Sequence, residues 1–72
     1  MQQTTGKTGI YLHPEKRKAF RASTPFAAPT DPGWVLLSED TMIGMVDVRR
    51  LAQERGLVDD PSTIEWTGRT DI

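Results

Sequence analysis

One short stretch carries the clearest residue types for chemistry or recognition. Lys16-Arg17-Lys18, with Arg21 beyond, clusters four positive charges beside Tyr11 and around Phe20. Such a cluster can neutralise phosphates or carboxylates, and neighbouring rings can stack on bases. The candidate partner-binding set is therefore Lys16, Arg17, Lys18, Arg21, Tyr11 and Phe20. The competing account is a solvated hairpin tip, where charge keeps an exposed edge from aggregating. A net charge of −1 sits poorly with a dedicated nucleic-acid module, which is plainly basic. An acidic protein surface fits the cluster better, and nucleic acid is the weaker candidate.

Other signals dissolve on their spacing. Gly6-Lys7-Thr8 echoes the end of a phosphate-binding loop, but the glycine required upstream falls on Met1 and no strand can precede it. His13, the one histidine, has no companions at metal-ligand or nucleophile–base spacing and reads as a surface residue flanking a turn. Ser23, Ser38 and Ser62 lack a nucleophile elbow and occupy loop or cap positions. Asp59-Asp60 lacks the acid spacing of a calcium loop. Pro29-Thr30-Asp31-Pro32 has P-x-x-P spacing without a flanking base. Thr70-Asp71-Ile72 matches the short pattern read by PDZ domains, which three residues match often by chance. No nucleophile–base pair, metal set or cofactor loop can be assembled, so the expectation is a protein that is not an enzyme and holds no cofactor.

The chain has 72 residues and no cysteine, which allows one domain at most and no disulfide or thiolate metal site. A chain this short is marginal without staples, so it needs either a small well-made core or partner subunits. The longest clean apolar run is Trp34 to Leu37, too short to span a bilayer, and the N-terminus does not read as a signal peptide. The expectation is a soluble, intracellularly made protein, cytoplasmic or within an assembled particle, with no small-molecule substrate.

Charge is divided unevenly. Residues 1–30 hold five bases against Glu15, whereas residues 31–72 hold four arginines against nine acids. The halves either neutralise each other within one fold or allow copies to associate head to tail.

The elements that must position these residues follow from periodicity. The layout is a polar arm at 1–9, one small domain at 10–67 and a tail at 68–72. Ile10-Tyr11-Leu12-His13 and Lys18-Ala19-Phe20-Arg21-Ala22 alternate around the turn Pro14-Glu15-Lys16-Arg17, which predicts a hairpin with Ile10, Leu12 and Phe20 inward, or Tyr11 if the register slips. Ser23 to Gly33, with three prolines, reads as an extended connector pinned by Phe26. Asp31-Pro32-Gly33-Trp34 suits a type II turn. Trp34 to Leu37 reads as a buried strand.

Met42 to Val46 fits either a second central strand or part of a longer helix from Glu39 to Arg55 capped by Ser38, and mid-helix Gly44 and the β-branched residues favour the strand. Asp47 then caps a helix at Val48–Arg55, with Val48, Leu51, Ala52 and Arg55 on one face and Gly56 ending it. Ser62 to Thr67 alternates as a closing strand with Ile64 and Trp66 inward. The fold class is a small α+β domain. Its thin core, polar arms and divided charge predict a structural or interaction protein working as one subunit of a multi-copy, oligomeric assembly, a virion-type particle being one setting. The alternative is an autonomous adaptor or inhibitor that binds through the basic hairpin. Its partners are other proteins or copies of itself, without a membrane.

Overall fold

The computed structural model describes residues 7–72. Strands β1 (Gly9–His13) and β2 (Lys18–Ala22) form the expected hairpin, in register from Gly9 opposite Ala22 to His13 opposite Lys18. Pro14 opens the four-residue turn, and Arg17 closes it in the left-handed region at φ 55°. Strand β3 (Val35–Ser38) pairs antiparallel with the other side of β1, and the two-residue β4 (Glu65–Trp66) joins β2 in parallel. The order is β3-β1-β2-β4, so the first strand is central. With helix α1 (Met45–Glu54), this is a small α+β domain.

Both faces of the sheet are covered. On one face Ile10, Leu12, Ala19 and Leu37 pack with Val48 and Ala52 of α1 and with Ile64. On the other, Tyr11 and Ala22 pack with Ala28 and Trp34, and Phe20, Ala27 and Leu36 join them. This corrects the expected inner face. Tyr11 stands opposite Phe20, so Phe20 belongs to the face away from Ile10 and Leu12. Alternation assigns partners correctly only once the covered face is known, and here there are two.

The helix begins earlier than its sequence signal. Gly44 is the N-cap and contributes no side-chain hydrogen bond, while Asp47 lies in the first turn and pairs with Arg50 at 2.9 Å. There its carboxylate still suits the positive end of the helix dipole. Ile43 at N′ and Val48 at N4 hold the positions of a hydrophobic staple, and both belong to the same core cluster. The expected second central strand is absent from the described residues. Ser38 Oγ accepts the Asp40 N–H at 3.0 Å and Asp40 Oδ1 accepts the Met42 N–H at 2.9 Å. These successive side-chain turns bend the chain away from β3 before a ladder can form.

The helix ends as the sequence indicates. Gly56 takes φ 64°, its N–H reaches Gln53 O at 3.1 Å, and Leu57 N–H reaches Ala52 O at 3.0 Å. That pair of bonds is the Schellman motif.

Three further expectations change. Phe26 lies in a short 3-10 turn (Pro25–Ala27) and is 90% exposed, so it pins nothing; Ala28 and Trp34 hold the connector instead. The turn at Asp31 forms, with Trp34 N–H bonded to Asp31 O at 3.2 Å, but Gly33 does not take positive φ and the turn is not type II. The closing strand shrinks because Pro61–Thr63 forms a 3-10 turn capped by Asp60. Ile64 is fully buried as expected, whereas Trp66 is 39% exposed. No helix among the described residues is long and apolar enough to cross a membrane.

Candidate interaction surface

The structure separates the six residues of the basic hairpin. Tyr11 is buried in the face around Trp34, and its hydroxyl donates to Lys7 O at 2.6 Å. Phe20 lies 6.2 Å from Trp34, ring centroid to ring centroid, in an edge contact. Neither ring stands free for stacking. Lys18 pairs with Glu65 at 3.0 Å, an ion pair that crosses from β2 to β4. Lys16 and Arg17, at the tip, are exposed, and their side chains have no hydrogen-bond or ion-pair partner among the described residues.

Arg21 is engaged at the opposite end of β2. Its guanidinium donates to Ile43 O at 2.9 Å and lies over the Trp66 ring, 4.6 Å from the centroid. Parallel pairing explains why: with Ala19 opposite Trp66, Arg21 lies farther along β2 on the same face. A guanidinium on an indole face is a cation–π contact as well as a flat packing surface. Met42, immediately before Ile43, is 86% exposed, and Val46 in the first turn of α1 is 80% exposed. Arg21 is thus held between the Ile43 carbonyl and a half-open tryptophan, and the chain on either side of Ile43 carries two bare aliphatic side chains.

Sequence reasoning placed Arg21 correctly on the exterior but missed Trp66, Met42 and Val46. The polar neighbours of Trp66 mimic an inward-facing strand, and the strand reading of Met42 to Val46 obscured the exposed side of the helix.

The remaining chemistry is engaged locally. His13 is buried, with Nδ1 accepting the Lys16 N–H at 3.2 Å, which corrects the surface placement. The bare backbone of Gly33 leaves room for its ring, since a Cβ there would lie 2.5 Å from Nε2. Ser62 Oγ donates to Asp60 Oδ1 at 2.6 Å and Ser62 N–H bonds the same oxygen at 3.1 Å. These bonds, with a smaller contribution from Arg17, hold the Asp60 carboxyl below the usual carboxylate range. Arg69 does the same for Asp71 through paired bonds of 2.9 Å. Thr70 O accepts Trp34 Nε1–H at 3.2 Å, so the tail is tied to the second core. Gly6 of the phosphate-loop echo lies outside the described residues, and Lys7 pairs with Glu39 at 3.4 Å. Among the described residues there is no pocket and no group of three or more histidines, aspartates or glutamates placed to hold a metal.

Charge division is partly resolved within the fold. Lys7–Glu39 and Lys18–Glu65 each join a base of the front half to an acid of the back half. Comparison of the chain with protein-family models, curated proteins and solved structures finds no match.

Proposed function

We propose that this chain is a non-enzymatic interaction protein that serves as a small subunit of a multi-copy assembly, with a virion-type particle as one setting. The observation that carries the reading is the Arg21–Trp66 stack, tied through the Ile43 carbonyl to a segment in which Met42 and Val46 are both exposed. Tryptophan and arginine anchors framed by apolar side chains are the chemistry that dominates protein–protein contacts. Other copies of the chain are the proposed occupants.

Sedimentation velocity across a wide concentration range tests this. Wild-type protein is expected to form species that grow with concentration, and Met42→Glu with Val46→Glu should return it to monomer without changing its circular dichroism. A compact wild-type monomer at every concentration would overturn the proposal.

A second reading is an autonomous binding module, supported by the side chains of Lys16 and Arg17 at the hairpin tip, which are exposed and have no partner among the described residues. Its ligand is an acidic protein surface, with nucleic acid the weaker choice. Titration with polyglutamate and with single-stranded DNA, using wild type and Lys16→Glu/Arg17→Glu/Lys18→Glu, tests it. Saturable binding to polyglutamate that the triple variant loses supports the module, and unchanged binding rejects it. A preference for DNA that weakens steeply with salt points to nucleic acid.

A further inference from the structure

Of the basic side chains in the hairpin, Lys18 is paired with Glu65 and Arg21 is held between Ile43 O and the Trp66 ring. Lys16 and Arg17 are left at the tip, exposed and without a side-chain partner among the described residues. The tip backbone on which they stand is fixed from both sides. Lys16 N–H donates to His13 Nδ1 at 3.2 Å, and Arg17 O accepts the Glu65 N–H at 3.2 Å. A backbone held in this way loses little further freedom when a ligand arrives.

Arg17 occupies a conformation that another residue would fill at lower cost. Its φ of 55° is the one positive value outside glycine among the described residues. Contact between Cβ and the backbone disfavours an L side chain there, and glycine takes the same conformation without that penalty. Inside the chain the guanidinium adds only a minor attraction to the Asp60 carboxylate, which Ser62 already holds by two direct hydrogen bonds. A strained residue whose side chain supports little of the fold points to a use outside it.

We propose that Arg17 is the specificity-determining residue of the hairpin tip and binds a side-chain carboxylate of an acidic protein partner. This rests on the binding-module reading above and narrows it to one contact. The planar fork of Arg17 matches a carboxylate with two parallel bonds, whereas Lys16 is a point charge that adds attraction without that geometry. Lys18, engaged by Glu65, takes no direct part.

The test titrates full-length wild type, Arg17→Gly, Arg17→Lys, Lys16→Ala and Lys18→Ala with polyglutamate at one fixed, low salt concentration, and follows denaturant unfolding of the same proteins. Arg17→Gly should unfold at a higher midpoint, because the strain is relieved, yet bind about tenfold more weakly. Arg17→Lys should keep only part of the affinity. Lys16→Ala and Lys18→Ala remove the same charge and should each lose less than Arg17→Gly. Stability that rises while binding falls separates a binding residue from a structural one. A wild type that does not bind polyglutamate would overturn the module reading and this assignment with it. If the wild type binds and Arg17→Gly binds equally well, or Lys16→Ala loses more, the assignment alone is overturned. A lower midpoint for Arg17→Gly would also overturn it, since the side chain would then serve the fold.

Discussion

The His13 imidazole meets the Trp34 indole edge to face, with centroids 5.3 Å apart and planes at 90°. Gly33, just before Trp34, lies against the same imidazole. The hairpin end and the connector are thus joined through a buried ring, and the fit depends on a missing side chain.

Replacing Gly33 with alanine should cost about 1–3 kcal/mol, since the new methyl group overpacks against His13. In a His13→Ala background the methyl gains room, and the cost should fall. Denaturant unfolding followed by tryptophan fluorescence gives the double-mutant cycle, with an expected coupling of about 0.5–3 kcal/mol. Additive costs would show that Gly33 is required for another reason.

Gly9 presents a harsher case. Its φ is 153°, and a Cβ there would overlap the Ser38 carbonyl oxygen and approach Leu36 Cδ1 within 2.8 Å. The backbone conformation alone should cost an alanine about 1–3 kcal/mol, before the clash is counted. Gly9→Ala is expected to abolish the cooperative thermal transition, whereas Gly68→Ala, with open space around it, should leave the transition in place. A native-like transition in Gly9→Ala would mean that the end of β3 can move aside.

Gly44 offers a gain. The N-cap has no side-chain hydrogen bond, and apart from its chain neighbours no atom of the described residues lies within 4 Å of a Cβ placed there. Gly44→Asp adds an acceptor for the free N–H groups of the first turn and should raise stability by a few tenths of a kcal/mol, up to about 1. A lower denaturation midpoint would count against this capping geometry.

Acid should loosen the segment before β4. The Asp60 carboxyl titrates below its ordinary value, chiefly because Ser62 bonds its charged form. A depressed carboxylate adds stability that is complete above its unfolded value, about 3.9, and is lost as pH falls through the folded value. The unfolding midpoint of the wild type should therefore drop on the acid side, more steeply than that of Asp60→Asn, which keeps a cap oxygen without titrating. Identical slopes for the two proteins would remove Asp60 from the acid response.

The parts of the fold legible in the sequence are those written in neighbouring residues. The β1–β2 hairpin shows in its alternation around Pro14, and the end of α1 shows in Arg55-Gly56-Leu57. What stayed hidden depends on residues far apart. Phe20 changes face because Trp34 provides a second core, His13 is buried because Gly33 lacks a Cβ, and Trp66 is half open because β4 pairs with β2 for only two residues. The candidate surface was legible at Arg21 alone, since its neighbours Trp66 and Ile43 are brought there by tertiary contact.

The late position of α1 and Ile64 in the chain matters during synthesis. The first hairpin leaves the ribosome well before Val48, Ala52 and Ile64, the side chains that cover Ile10 and Leu12. Trp34 likewise waits for Thr70 to receive its indole N–H. Until those later residues clear the exit tunnel, the nascent chain presents an uncovered sheet face, which marks that interval as the one in which a chaperone would find it.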